Sequence, residues 1–430
     1  MIKIVLINHS FQVNYFSRRW RLFAEKHPDI DVTLLAPTEF SWYSGRSYTY
    51  GKAKNLKGQV VDEKNFHIRL FRIQENNPHI GWTSPDFKML FSEIKPDIVY
   101  NIGTHDQESL YQILHILKKN HPNCKRIAFS MRGPAHNIVR SKGKCSIFRK
   151  IAREYLYRRR LSHLNYINSN VDAIFCHYPD AVRCFREEGY NGPIYMQTQV
   201  GVNEEWFHED PIARKEIREK YKIQDTTYVF GSATRFTIDK GLDDIINALP
   251  NEGNWKFLMM GTGANEDVDR IKKLIDERGL TEKIILPGMV DWYDMAKYWN
   301  AVDCAIHVPR TTTKWVETFS LSAIQPQITK KPVIGNDSGS VPYQIGFQEM
   351  IVPEGDIVAL SEKIAWVLAH KDEASKIGLK MYQRVHNSFE IQHLNDMFYD
   401  TLIEDVLPGK YDECKLDMTI YKPKNNDERI

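Results

Sequence analysis

The residues whose types and spacing could do chemistry are concentrated between Pro309 and Ser340, in PRTTTKWVETFSLSAIQPQITKKPVIGNDSGS. Glu317 is a carboxylate near the start of a short helix, followed closely by the small residues Thr318 and Ser320. The elements that must position it can be read around it. Cys304–Val308 is an apolar run of buried-strand type, a polar loop follows, a short helix begins near Thr318, and a second apolar run spans Pro332–Gly335. A strand, a loop and a helix N-terminus in succession make an anion site, because the first N–H groups of the helix lack internal acceptors and its dipole is positive there. At that mouth Glu317 can cap the helix or accept a hydrogen bond from a ligand hydroxyl. An ordinary βαβ crossover would carry the same pattern with no ligand.

The string Trp315, Glu317, Phe319, Ser320, Leu321, then a small-residue helix, then Pro332, Val333, Ile334, Gly339 and Pro342, resembles the donor-sugar loop of family 4 glycosyltransferases. That family has the α/β GT-B fold, two facing Rossmann-like domains. The resemblance implies an acceptor-binding domain over residues 1–205 and a nucleotide-sugar donor domain over 206–385. It further implies a C-terminal helix at 386–407 crossing back onto the N-terminal domain, and a tail at 408–430. The implied reaction is retaining transfer of a hexose-type sugar from a nucleotide-diphosphate donor, UDP- or GDP-linked, to a hydroxyl acceptor. It needs no metal or other cofactor, and it belongs to cell-surface polysaccharide or glycolipid assembly.

Roles follow from the same resemblance. Glu317 would contact the donor sugar, and a second acid eight positions on would hold the ribose; this chain has Gln325 there, followed by Pro326. A helix that continues through a kink at Pro326 would leave Gln325 facing the nucleotide. Ser320 replaces a usual glycine, Lys330 a usual helix-capping glycine, and Tyr343 a frequent acid. Arg235 and Lys240, after an apolar run at Tyr228–Ala233, match the family's R-x-x-x-x-K-G signature and would grip the donor diphosphate. The leaving group gains charge as the glycosidic bond breaks, and cations must neutralise it. Arginine offers a planar fork and lysine a mobile point charge. Gly263, in a Gly-Thr-Gly loop, and Val290, where the family packs its base, join Thr318, Phe319, Ser320 and Leu321 as donor-binding candidates. On the acceptor side, Arg132, near the end of the strand 126–133, and His136, a few residues on, are the candidates. Two other readings stay open. A sugar-nucleotide epimerase would need a carboxylate acid/base pair in the first half, and none is evident. A non-catalytic sugar-nucleotide binder is suggested by Gln325 and by the lack of a glycine pair after the first strand.

The 430 residues are ample for two cores. The formal charge of +3 divides unevenly, about +13 over residues 1–200 and −10 over 201–430. A basic half points toward phosphate, nucleic acid or an anionic membrane. KGKCSIFRKIAREYLYRRR at 142–160 reads as a basic amphipathic helix with Ile147, Ile151, Tyr155 and Leu156 on one face. The expected partners are a nucleotide-sugar donor, a saccharide or lipid-linked saccharide acceptor and an anionic membrane surface, with no nucleic acid. Aromatics at Trp42, Tyr43, Tyr48 and Tyr50 suit either packing under a flap or sugar stacking. Six scattered cysteines without a C-x-x-C pair indicate neither zinc nor a disulfide framework. No apolar run reaches membrane-spanning length, and MIKIVLINHS reads as a first strand rather than a leader. A cytoplasmic place follows, with peripheral contact at the inner membrane face as its extension.

Overall fold

A computed structural model of the chain describes residues 1–12, 14–40, 56–57, 59–77, 81–103, 108–131, 147–313 and 315–411. They form two compact units. Described residues within Met1–Tyr43, Ala53–Gln199 and Leu394–Leu416 make the first, and Val200–His393 the second.

In the first unit, strands β1 (Ile2–Ile7), β2 (Ile30–Pro37), β3 (Val61–Asp62), β4 (Phe66–Phe71), β5 (Ile98–Gly103), β6 (Lys125–Ser130), β7 (Ala173–Cys176) and β8 (Ile194–Tyr195) lie in the order β8-β7-β6-β5-β1-β2-β4-β3. All neighbours are parallel except β3 with β4. The strands are continuous apolar runs because parallel sheets are covered on both faces. The helices between them are α1 (Asn14–Lys26), α2 (Phe87–Ile94), α3 (Glu108–Asn120), α4 (Ile147–Asn168) and α5 (Pro179–Glu187).

The C-terminal helix contributes to this first core, as the resemblance implies. Phe398 packs edge-on to Trp20 at 5.4 Å between ring centroids and stacks on Tyr100 at 5.2 Å, and Leu402 and Val406 are fully buried beside it. Each buried aromatic of this kind contributes about 1.5–3 kcal/mol. Arg19 fixes the approach by donating to Asn395 Oδ1 at 3.0 Å and to the Thr198 carbonyl at 3.0 Å.

Helix α4 departs from the sequence expectation in extent and in face. It runs on to Asn168, and among its residues whose burial is described Leu164 and Ile167 in the later half are buried, where it packs near α3. Ile151 and Tyr155, on the face expected to be apolar, are 63% and 65% exposed. A single-sequence reading finds an apolar stripe but not whether a neighbour covers it. The aromatics at 42–50 lie outside the described residues.

The second unit is built on α6 (Pro211–Lys220), β9 (Tyr228–Ala233), α7 (Leu242–Ala248), β10 (Trp255–Met260), α8 (Asn265–Glu277), β11 (Ile284–Gly288), α9 (Met295–Ala301), β12 (Cys304–His307), α10 (Leu321–Ile328), β13 (Val333–Asn336), α11 (Val341–Ile345), β14 (Ile351–Val352), α12 (Ile357–Ala369) and α13 (Lys371–Phe389). Its six strands are all parallel in the order β11-β10-β9-β12-β13-β14. The chain leaves β9 for β10 on one side and reaches β12 on the other, so a crevice opens beyond the carboxyl ends of β9 and β12, where open α/β sheets bind ligands. Helix α14 (Ile391–Thr401) follows, and Glu390 caps it by accepting from the His393 amide at 3.1 Å.

Candidate donor-binding site

The loops that leave β9 and β12 carry the residues singled out in the sequence. Arg235 lies two residues past the end of β9 and is half-buried; Lys240 ends a short 3-10 turn, Ile238–Lys240. Gly241 then takes φ +68°, and a Cβ there would lie 1.9 Å from the Val308 carbonyl oxygen. Only glycine permits this approach of the β9 and β12 loops, which places Lys240 beside the residues after His307.

Four side chains meet at that point. Lys240 Nζ lies 2.9 Å from Glu317 Oε2 and 3.9 Å from the centroid of the Trp315 ring. His307 Nε2 lies 3.8 Å from the same Glu317 oxygen, beyond hydrogen-bond reach, and this buried nitrogen has no hydrogen-bond partner among the described residues. Burial lowers the His307 pKa to about 4 against the opposing pull of Glu317, so the ring is neutral at neutral pH. Lys240 and Glu317 side chains are 10% and 7% exposed. At that depth an ion pair is poorly screened, and losing one partner leaves an unpaired buried charge.

The backbone around Glu317 is fixed from the other side. Its carbonyl accepts from the Ser340 amide at 2.9 Å, and Gly339 at φ +50° would place a Cβ 2.1 Å from that oxygen. Gln344 holds the entry to α10: its Oε1 accepts from the Ser320 amide at 2.9 Å, and its Nε2 donates to the Ser320 carbonyl at 2.8 Å. The Ser322 hydroxyl donates to the Ala233 carbonyl at the end of β9. The helix starts at Leu321, three residues later than the sequence pattern suggests, because Ser320 takes extended angles as its N-cap. Thr318, Phe319, Ser320 and Leu321 are half-buried along this loop and first turn, with Phe319 edge-on to Phe389 at 5.6 Å.

The other donor candidates occupy neighbouring loops at the same edge. The Thr234 amide donates to the Met260 carbonyl at 3.0 Å, the Phe236 amide to Thr262 at 3.0 Å, and the Gly261 amide to Gly288 at 2.8 Å. These bonds bind the loops after β9, β10 and β11 together, and so bring Gly263 and Val290, both half-buried, to the edge that carries Arg235.

Gln325 stands elsewhere than the sequence suggests. Helix α10 does continue through Pro326, but Gln325 is 2% exposed and its Oε1 accepts from the Trp299 indole N–H at 3.1 Å. One turn past Leu321, the position falls on the face packed toward α9, not toward the open edge. Its Nε2 is buried without a hydrogen-bond partner among the described residues. Arg132 and His136 lie outside the described residues.

His307 is the site residue that the sequence reading missed. The available signal was a histidine interrupting the end of the apolar run Cys304–Val308. Trp315 was visible as a motif residue, but its place against Lys240 was not. Among the described residues no group of three or more His, Cys, Asp or Glu could hold a metal, and no helix is long and apolar enough to cross a membrane.

This architecture is the GT-B class of fold. The protein resembles a sucrose-phosphate synthase of Thermosynechococcus elongatus at TM-score 0.68 and 16% identity, with 94% of this chain and 100% of that one covered. It resembles Anabaena HepE, solved in complex with UDP, at TM-score 0.67 and 13% identity, with the same coverage. Residues 213–384, within the second unit, match the family model described as Glycosyl transferases group 1. A GDP-mannose-dependent alpha-(1-6)-phosphatidylinositol monomannoside mannosyltransferase of Mycobacterium tuberculosis is 22% identical over 187 residues, 41% of this chain and 48% of that protein. A GDP-mannose-dependent monoacylated alpha-(1-6)-phosphatidylinositol monomannoside mannosyltransferase of Corynebacterium glutamicum is 25% identical over 213 residues, 48% of this chain and 55% of that protein. The matches thus span about half the length of these two relatives.

Proposed function

We propose that the protein is a glycosyltransferase that moves a hexose-type sugar from a UDP- or GDP-linked donor to a hydroxyl of a saccharide or lipid-linked saccharide, with retention at the anomeric carbon. The observation that carries this reading is the Lys240–Glu317 pair, set with Trp315 and His307 at the β9/β12 crevice. In this reading Lys240 and Arg235 neutralise the departing diphosphate, helped by the free amides at the start of α10. Glu317 is released from Lys240 as the diphosphate takes over the lysine, and then accepts hydrogen bonds from sugar hydroxyls. The relatives favour a nucleotide sugar: GDP-mannose in both mannosyltransferases, UDP in the HepE complex. The test is incubation with UDP- and GDP-sugars and a mixed saccharide acceptor pool. Free nucleoside diphosphate with an extended acceptor supports transfer. An altered sugar on intact nucleotide indicates epimerisation, and binding without turnover a non-catalytic protein.

The acceptor side rests on α4. Ile151 and Tyr155 are exposed on successive turns, Leu161 is 38% exposed further along, and Arg158 extends into solvent beside them. Together with the net +13 of residues 1–200, this stripe suits an anionic lipid surface and hence a lipid-linked acceptor. Flotation with vesicles should rise with anionic lipid and fall with salt; flotation independent of lipid charge at low salt removes this part.

A further inference from the structure

At the opposite edge of the second sheet, where the strands begin, lies a cavity of about 480 Å³. It opens beside the first residues of β9 and β13, and a six-residue strand separates it from the donor crevice by about 20 Å. None of the donor-site residues lines it.

The charges around this cavity divide into paired and unpaired groups. Arg214 is paired with Asp303 at 2.6 Å, and Lys330 with Glu209 at 2.8 Å. Lys331 lines the wall half-buried, and among the described residues its amine has neither a hydrogen bond nor an ion pair. Lys371 makes one contact, over the ring of Tyr228 at 5.4 Å. Tyr228 and Ser375 also line this space, and neither hydroxyl has a hydrogen-bond partner among the described residues. Ser375 stands one turn after Lys371 on the same face of α13. Two lysines and two hydroxyl-bearing residues therefore line one cavity with no hydrogen bond or ion pair from their side chains among the described residues. Burial lowers the Lys331 pKa, with the Arg214 charge acting in the same direction, and an anion at Nζ would reverse both effects.

We propose that this cavity is a second ligand site, for a small phosphate monoester of a polyhydroxylated compound, of the sugar-phosphate type. The phosphoryl group sits between Lys331 and Lys371 and accepts from Tyr228 and Ser375. Asp225, an exposed acid on the same wall, accepts from the ligand's hydroxyls. A bare phosphate would leave most of the volume empty and meet the carboxylate unfavourably, so the ester is favoured over inorganic phosphate. Sites of this size hold small metabolites.

Calorimetric titration of the full chain with glucose 6-phosphate, glucose and inorganic phosphate tests the proposal. Glucose 6-phosphate should bind saturably, with glucose and phosphate each at least about tenfold weaker. Lys331→Gln should weaken the ester about tenfold or more, and Lys371→Gln, at an exposed position that the fold does not need, about fivefold. Lys240→Ala, in the donor crevice, should leave it unchanged. Three results would overturn the proposal: no saturable binding, binding indifferent to both lysine substitutions, or binding lost in Lys240→Ala. Inorganic phosphate binding as tightly as the ester would overturn the assignment to a polyhydroxylated ligand.

Discussion

Both units present a crevice where the strand order reverses, yet the two are closed by different chemistry. In the first, Asn8 follows β1 and spans to β5: its Nδ2 donates to the Ile102 carbonyl at 2.7 Å, and its Oδ1 accepts from the Ser10 amide at 2.7 Å. In the second, the corresponding span between the β9 and β12 loops is the ion pair of Lys240 with Glu317. A neutral amide with both ends bonded to the backbone locks a turn. A buried ion pair can be entered by a charged ligand, since a phosphate can take the place of the carboxylate at a lysine and hydroxyls that of the lysine at a carboxylate. On the proposed function, the same reversal of strand order carries a structural tie in one unit and an exchangeable one in the other.

The largest expected effect falls on the exchangeable tie. Lys240→Ala should lower kcat/KM for sugar transfer by about 2–4 kcal/mol of transition-state stabilisation, tens- to a thousandfold, and Arg235→Ala should act in the same direction. Asn8→Ala should instead reduce unfolding free energy by about 1–3 kcal/mol for its lost hydrogen bonds, with donor KM within about twofold. Rates for Lys240→Ala and Arg235→Ala both close to wild type would erase the distinction.

Backbone substitutions sharpen it next. Gly339→Ala forces a Cβ against the Glu317 carbonyl and should cost about 2–4 kcal/mol of stability and disturb donor binding. Gly189 in the first unit also has positive φ, +86°, but open space around it. Its alanine variant should cost about 1–2 kcal/mol, the conformational penalty alone. Equal losses in the two variants, measured by chemical denaturation, would mean that the contact at Glu317 carries no weight.

Acid should separate the units as well. Burial lowers His9 to about 4 and His177 to about 3 in the first unit, and His307 to about 4 in the second. Each lies below its unfolded value near 6.5, so the unfolded chain binds the proton first. The stabilisation is complete above about pH 6.5 and is lost as pH falls toward 4 for His9 and His307, and toward 3 for His177. Asp86, held low chiefly by its hydrogen bond to Arg72, adds acid sensitivity to the first unit only below about pH 4, whereas Glu390, raised by burial, opposes acid loss in the second. Between pH 6.5 and 4 amide protection should therefore fall sooner in the first unit, by about 3 kcal/mol relative to the second. Simultaneous loss would contradict this balance.

The smallest expected effect concerns Gln325. With its oxygen on Trp299 and its side chain buried, Gln325→Ala should lower stability by about 1–2 kcal/mol and change donor affinity by less than about threefold. A tenfold loss of donor affinity at unchanged stability would restore the ribose contact expected from the sequence.

Gln325 also marks where the sequence stops being legible. The strands and their order of appearance were readable from continuous apolar runs, whereas Lys240 and Glu317 stood out through their motif resemblance to family 4 glycosyltransferases. The partner of Gln325 lies 26 residues earlier on α9, and nothing in the local pattern encodes that contact. The late start of α10 was hidden for a similar reason: Ser320 is held extended by Gln344, 24 residues downstream. In α4 the amphipathic pattern was real, but which stripe meets α3 depends on Leu164 and Ile167, beyond the basic segment that drew notice. His307 was passed over because a polar residue at the end of an apolar run looks like a strand terminus until a carboxylate from another loop is brought within 3.8 Å.

The central claim is that the Lys240–Glu317 pair is the seat of a nucleoside-diphosphate donor. Calorimetric titration of UDP and GDP into wild type, Lys240→Ala and Asn8→Ala tests it most directly. The account predicts saturable binding of at least one nucleotide to wild type, an affinity about tenfold or more weaker in Lys240→Ala, and no change in Asn8→Ala. Equal affinity in wild type and Lys240→Ala, or no binding of either nucleotide to wild type, would contradict it.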